Sequence, residues 1–113
     1  MNTTQEDTEL ANYILSILKT QPPIVMSWGI NPGTIKTIKD GLEFHVQGFK
    51  HQGIVRITLN HGTDTFEIHL IPDNEQPSET ITDIYLDNLV TVIDRRVELT
   101  DDYEERIRKE YGI

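Results

Sequence analysis

All four histidines of the chain lie in one stretch, LEFHVQGFKHQGIVRITLNHGTDTFEIHL, which spans residues 42–70. Imidazole is a common metal ligand and a common proton-transfer group near neutral pH. His45 and His69 alternate with apolar residues in the same phase as Arg56 and Glu67, so a strand geometry places all four side chains on one face of a sheet. A carboxylate, two imidazoles and a guanidinium on one face are a candidate acid–base or metal-binding site.

A solvated sheet face is the competing interpretation of the same residues, and it is the one we prefer. His51 and His61 fall at turns at opposite ends of the predicted strands, away from the other two histidines. The guanidinium of Arg56 would repel a cation, and a flat, open face seldom excludes water from a reacting group. We therefore predict no metal and no cofactor at this face, where a cross-strand Arg56–Glu67 pair would contribute about 0.2–1 kcal/mol.

The strands that would carry these side chains follow from strict alternation. We predict strands over residues 42–48, 53–60 and 64–71, each with most of its apolar residues in one phase. The inward-facing residues are then Leu42, Phe44, Val46, Val55, Ile57, Leu59, Phe66, Ile68 and Leu70.

Turn length decides the register of these strands, because a shift of two residues keeps the faces and changes the partners. Two-residue turns at Lys50-His51 and His61-Gly62 would pair Arg56 with both His45 and Glu67. A four-residue loop over 61–64 would pair Arg56 with His69 instead. Both registers of the second hairpin remain open.

The first forty residues predict a helix followed by the start of a meander. Thr3 or Thr4 is a candidate N-cap for a helix over residues 5–19, which KTQPP would end because proline cannot continue a helix. The segment IVMSW is short and β-prone, and NPGT has the order of a type II turn. The segment TIKTIK then reaches Asp40-Gly41, a strong hairpin signal.

The last forty residues predict a loop and two helices. The segment IPDNEQPSE is a loop by composition, and Asp83 is a candidate N-cap for a helix that runs from Ile84 to Val97. Thr100 would cap a final helix that ends near Gly112. The expected fold class is α+β, an antiparallel β-meander of four to five strands covered on one face by an N-terminal helix and two C-terminal helices.

Composition bounds the class of protein. With 113 residues, of which 36% are hydrophobic, we expect a single α+β domain over 1–113. The chain has no cysteine, which excludes disulfides, thiolate zinc sites and cysteine nucleophiles. The acidic start MNTTQEDTEL does not have the basic and then apolar pattern of a signal peptide. We expect a cytoplasmic protein that does not contact membranes.

The charge of −9 is concentrated after residue 72, where twelve acidic residues face five basic ones. Phosphate binding needs a basic stripe, so we expect no direct contact with nucleic acid. An acidic surface permits a basic protein partner. The catalytic motifs G-x-S-x-G, G-x-G-x-x-G and H-E-x-x-H are absent from the sequence, which favours a protein that is not an enzyme.

Four apolar residues form the candidate interaction surface. Trp28 lies in the Gly/Pro-rich segment MSWGINPG, where it would either anchor a partner or cap one end of the core, and we favour the core. Ile38, Ile54 and Ile71 fall in the polar phase of their strands. Clustered, they would form an apolar patch for a partner or a second copy, so a homodimer is a further hypothesis.

The segments SWG, GLEFHVQGFKHQGIVRITLNHGTDTFEIHLI and DIYLDNLVTVIDRRVE resemble small proteins encoded by gut Bacteroidota and by their phages and mobile elements. That family has a G-F-K-H-x-G turn, an LN-x-G-x-D-x-F/Y hairpin and a closing D-x-Y-x-D-x-L helix. The similarity covers most of residues 26–98. It implies a shared fold and genomic setting, and it brings no catalytic residues.

The expected function is therefore that of a small acidic, non-enzymatic protein-interaction module of a mobile element or phage. One alternative is a metal-binding or acid–base enzyme site that uses His45, His69 and Glu67. A second alternative is a nucleic-acid mimic, in which the carboxylates between residues 83 and 105 occupy a basic site on a partner protein.

Overall fold

A computed structural model describes residues 4–48 and 50–97 of the chain. The first element is helix α1, Gln5–Leu18, which confirms the predicted N-terminal helix to within one residue. Thr4 caps it, because its hydroxyl accepts a hydrogen bond from the Asp7 amide at 3.1 Å while the Asp7 carboxylate accepts one from the Thr4 amide at 3.0 Å. This reciprocal capping box fixes the start of the helix.

Asp7 also ties α1 to the sheet. Its second carboxylate oxygen accepts a hydrogen bond from the Asp40 amide at 2.9 Å, at the first hairpin turn. The amides of Thr4 and Asp40, in that order of effect, lower the pKa of Asp7 against the opposing effect of burial. The carboxylate therefore stays ionised and holds the helix start over the turn.

The segment after α1 corrects two predictions. IVMSW is not a strand, since Pro22–Met26 form the short helix α2. Proline is well accommodated in the first turn of a helix, where its missing N–H would have had no partner. NPGT is not a type II turn either, because Gly33 lacks the positive φ that this turn requires and lies within strand β1.

Five antiparallel strands form one sheet in the order of the sequence, which confirms the predicted meander. The bounds are β1 Asn31–Ile38, β2 Gly41–Gln47, β3 Gln52–Asn60, β4 Thr65–Pro72 and β5 Glu79–Ile84. The three strands predicted over residues 42–71 are each correct to within one residue at either end. All of the residues predicted to face inward are buried or packed against the core.

Strand β5 was not predicted, and the helix expected from Ile84 begins later, at Leu89. Asp83 is not an N-cap but a residue of β5 with φ of 59°, placed where the pairing of β4 with β5 shifts register. A 3₁₀ turn over Leu86–Asn88 then leads into helix α3, Leu89–Val97. The predicted final helix from Thr100 lies outside the described residues.

The registers of the two central hairpins are now decided. Asn60 pairs with Thr65, so the second hairpin has the four-residue loop and Arg56 lies opposite His69. In the hairpin formed by β2 and β3, four residues rather than two separate the paired residues Gln47 and Gln52. The predicted pairing of His45 with Arg56 is therefore wrong by two residues, and Arg56 lies opposite Glu43.

The helices pack on one face of the sheet, which we call the inner face, and together they make the predicted two-layer α+β fold. Helix α1 contacts β1 and β2, and α3 buries an apolar stripe of its own. Within the described ranges, no helix is long and apolar enough to cross a membrane. The buried core consists of Ala11, Ile14, Leu18, Trp28, Leu42, Phe44, Val46, Val55, Ile57, Phe66, Ile68, Leu70, Ile84, Leu89, Val90, Ile93 and Val97.

Candidate functional site

The opposite face of the sheet, the outer face, carries a row of polar side chains that runs across all five strands. Adjacent members lie directly opposite one another on neighbouring strands. We call this set the polar row; it consists of Lys36, Glu43, Arg56, His69 and Thr80. The predicted site residues Arg56 and His69 belong to it, whereas Glu43 and Lys36 were missed.

Glu43 is the centre of the polar row. Its side chain is only 8% exposed, and both carboxylate oxygens are occupied: Lys36 Nζ lies 3.1 Å from Oε2 and Arg56 Nε lies 2.9 Å from Oε1. Burial acts to raise the pKa of Glu43, but the hydrogen bonds and charges of Lys36 and Arg56 outweigh it and lower that pKa. A carboxylate of lowered pKa is a weak proton acceptor, so Glu43 suits an organising role better than general-base catalysis.

His69 is held by hydroxyl groups on both of its ring nitrogens. Nε2 lies 3.3 Å from Thr58 Oγ1, and Nδ1 lies 3.2 Å from Thr80 Oγ1. The carboxylate of Glu67 is 3.8 Å from Nε2, and its other oxygen accepts a hydrogen bond from Asn60 Nδ2 at 3.3 Å. Both ring nitrogens of His69 are thus engaged by neighbouring side chains.

His45 lies apart from His69, opposite Ile54 and beside the polar row. Its Nε2 atom is 2.8 Å from Asp73 Oδ2, in the loop that follows β4. The structure therefore places the four predicted polar residues on one face, as expected, but divides them among separate partners. The expected Arg56–Glu67 pair does not form, because Arg56 binds Glu43 instead.

The remaining histidines lie at the two turns to which the sequence assigned them. His51 is buried, with Nε2 at 3.2 Å from the carbonyl oxygen of Ile54. His61 is exposed, with Nε2 at 2.9 Å from Asp40 Oδ1. Among residues 4–48 and 50–97, no three His, Cys, Asp or Glu side chains are arranged to hold a metal ion.

The apolar candidates separate into three locations. Ile54 and Ile71 are direct cross-strand partners on the outer face and are both half-buried. Ile38 lies opposite Gly41 on β2, whereas Ile54 lies opposite His45 on the same strand. Gly41 and His45 are four residues apart, which is about 13 Å at the rise of a strand, so Ile38 is separate from the other two isoleucines. Trp28 is fully buried, and its Nε1–H donates to Asp94 Oδ1 at 3.0 Å, so its side chain belongs to the core.

A recess of about 490 Å³ opens on the outer face over β1 to β3. Three cationic residues and one acidic residue, Glu43, line it, in a chain whose net charge is −9, and Lys36 and Arg56 are the two cations paired with Glu43. Of the five guanidinium N–H groups of Arg56, the Nε–H is the one bonded within the described part of the chain. We call this the cationic recess; its lining is Lys36, Thr37, Ile38, Lys39, Glu43, Arg56 and Thr58.

An apolar groove of about 230 Å³ lies on the other side of β1, between that strand and helices α1 and α2. Met26, whose surface is 79% exposed, stands at its border. The sequence signal for this groove was the apolar run after Pro23, which was assigned to a strand. The lining of the apolar groove is Leu15, Leu18, Lys19, Pro22, Val25, Met26, Ile30, Ile35 and Phe44.

Only some of the acidic residues that a nucleic-acid mimic would use lie in the described ranges of the chain. Between residues 83 and 105, Asp83, Asp87 and Asp94 are described, and they lie on β5, the 3₁₀ turn and α3 respectively. Asp94 accepts a hydrogen bond from Trp28, and the remaining acidic residues between 83 and 105 lie outside the described residues.

Comparison with family models, with curated proteins and with solved structures returned no match for this chain.

Proposed function

We propose that this protein is a small, acidic, non-enzymatic interaction module that works through the outer face of its sheet. The observation that carries the proposal is the cross-strand pair of Ile54 and Ile71 on the face opposite the helices. Aliphatic side chains on a face that is otherwise polar are typical of a surface that becomes covered in a complex. Its role would be that of an accessory factor of a mobile element or phage, the setting that the sequence resemblance implies.

The charge of the outer face favours a second copy of the chain as the partner. Lys36, Lys39 and Arg56 balance Glu43, Glu67 and Asp73, so this face is close to neutral although the whole chain carries −9. Two copies can therefore approach through their outer faces with less repulsion than through any acidic surface. A two-fold axis would place the same isoleucines of each copy against each other.

The polar groups of the outer face support binding rather than catalysis. Each histidine and carboxylate described above is engaged by a separate neighbour, at Asp73 for His45 and at Thr58 and Thr80 for His69. Acid–base catalysis requires a proton donor or acceptor directed at a position that a reacting atom can occupy. The histidines of the outer face are instead hydrogen-bonded to neighbouring side chains.

The test is the mass in solution measured by light scattering across a range of concentrations. We expect the unsubstituted chain to form a dimer and Ile54→Asp to be a monomer, because a buried carboxylate without a partner is strongly unfavourable. Tyr85→Asp is the matched control, since Tyr85 is 64% exposed and directly follows β5, an edge strand two strands away from Ile54 on β3. A monomer at every concentration, with or without the substitution, would overturn the proposal.

A further inference from the structure

The free edge of strand β1 combines three features that a single kind of ligand would satisfy. We infer that this edge binds an extended segment of a partner protein in which apolar residues alternate with acidic residues. The segment would add to the sheet as a sixth strand beside β1. This inference rests on the proposed role as an interaction module, but it uses a surface that does not include Ile54 or Ile71.

The first feature is the unpaired backbone of β1. In the part of the chain that the structure describes, β1 and β5 are the two ends of the sheet. Along an antiparallel edge strand every second residue turns its N–H and C=O away from its neighbour, which makes the edge a template for another strand. Both edge strands carry a register shift, between Asn31 and Lys36 in β1 and near Asp83 in β5, but β1 is the one flanked by the two recesses described above.

The second feature is the cationic recess on the outer side of β1. Three of the seven Lys and Arg residues in the described ranges line it, and Glu43 neutralises only one of those charges. The side chain of Lys36, on β1 itself, is 64% exposed, and that of Arg56, two strands away on β3, is 40% exposed. A guanidinium with free N–H groups binds carboxylates in a planar, two-point geometry.

The third feature is the apolar groove on the inner side of the same strand. Ile35 lines the groove, whereas its neighbour Lys36 lines the cationic recess. The two surfaces are therefore separated by the thickness of β1, with side chains of consecutive residues on opposite sides. Met26, Val25 and Ile30 provide the apolar surface that an inward-facing aliphatic side chain would cover.

The chemistry of the ligand follows from this arrangement. Successive side chains of an extended segment point to opposite faces, so a strand beside β1 sends every second residue towards the cations and the others towards the groove. Acidic residues suit the first set and aliphatic residues suit the second. Main-chain hydrogen bonds supply affinity in such strand addition, and the flanking pockets supply specificity.

The experiment uses the whole chain labelled with ¹⁵N and a short peptide that alternates valine with glutamate. We expect the peptide to shift the NMR signals of β1 amides and to bind at least tenfold more tightly than a matched peptide of valine and lysine. The double variant Lys36→Gln, Lys39→Gln should weaken binding about tenfold, and so should Met26→Asp. Neutral glutamine is used because glutamate at residue 36 would face Glu43 and disturb the fold.

Matched substitutions away from β1 provide the controls. Arg95→Gln removes an exposed charge from α3, and Tyr85→Asp places a carboxylate at the other edge of the sheet; neither should change the affinity. Equal binding of the two peptides, the absence of binding, or shifts centred on Ile54 would overturn the inference. Ile54→Asp should leave peptide binding intact, so a failure of the outer-face dimer and a failure of this edge site are told apart.

Discussion

The two faces of this sheet are made by the same strands and are stabilised in different ways. On the inner face, Phe44, Val55 and Ile57 are at most 1% exposed beneath the helices. On the outer face, the residues between them form hydrogen-bonded pairs around Glu43 and remain in partial contact with water. Apolar burial supplies most of the stability of a domain, whereas exposed polar pairs supply little. The inner face therefore stabilises the fold, whereas the polar pairs of the outer face contribute little to its stability.

The largest expected effect comes from the inner face. Phe44→Ala should lower the free energy of unfolding by about 3–5 kcal/mol, because it removes a buried ring and leaves a cavity. His45→Ala changes the next residue along the same strand, on the outer face, and should cost less than about 1 kcal/mol. Urea denaturation followed by circular dichroism measures both. Equal losses at the two positions would contradict the division between the faces.

A smaller loss is expected where two strands approach most closely. A Cβ atom at Gly41 would collide with the carbonyl oxygen of Ile57, so Gly41→Ala should cost about 1–3 kcal/mol. At Gly33 the nearest atom to such a Cβ is Asn31 Oδ1, at 3.4 Å, which is an ordinary contact. Gly33→Ala should therefore be neutral or slightly stabilising in the same denaturation experiment. A larger loss at Gly33 than at Gly41 would show that strand β1 is not as open as described.

How much of this fold the sequence could predict depends on how strictly each segment alternates. The strands between residues 41 and 72 alternate with few exceptions, such as Ile54 and Ile71, so their faces and, to within one residue, their bounds were predicted correctly. The segment over 84–97 was predicted as one helix because its apolar residues fit a helical period from Ile84 onward. A residue at positive φ, Asp83, ends β5 where the helix was expected to begin. No short-range pattern distinguishes a strand that ends in such a residue from the first turn of a helix.

The candidate site was harder to predict than the fold, because it depends on register. The alternation placed Glu43 and Arg56 on one face, but the assumed two-residue turn moved their pairing by two positions. Asp73, the partner of His45, lies in a loop where alternation predicts nothing. The apolar groove beside β1 also escaped prediction, because the apolar run after Pro23 was assigned to a strand and not to the helix that borders the groove.

Replacing Glu43 should lower the free energy of unfolding by an intermediate amount, and the size of this loss should depend on pH. Its pKa is lower in the folded protein than the ordinary value of 4.5, so the folded state binds fewer protons than the unfolded state. The stabilisation is therefore complete above the ordinary value and is lost as the pH falls through the lowered one. Glu43→Gln should cost about 1–2 kcal/mol at pH 7, and the difference from the unsubstituted chain should shrink below pH 4.5.

Denaturation at a series of pH values measures this effect, and Glu67→Gln is the control. Glu67 lies on the same face but has no Lys or Arg within ion-pair distance among the described residues. The variant at residue 43 should retain some acid sensitivity, because the pKa of Asp7 is lowered as well. A loss at residue 43 that stays constant from neutral pH into acid would contradict an ionised Glu43 as the centre of the polar row.

The smallest effect is expected for the pair of His45 and Asp73. Their contact is short, at 2.8 Å, but the Asp73 side chain is 56% exposed, so water competes for both groups. A double-mutant cycle with His45→Gln and Asp73→Asn should give a coupling energy of about 0.2–1 kcal/mol. A coupling of several kcal/mol would mean that this end of the outer face is held as firmly as the core. This part of the surface would then serve to stabilise the fold. The proposed dimer contact at Ile54 would in that case not include His45.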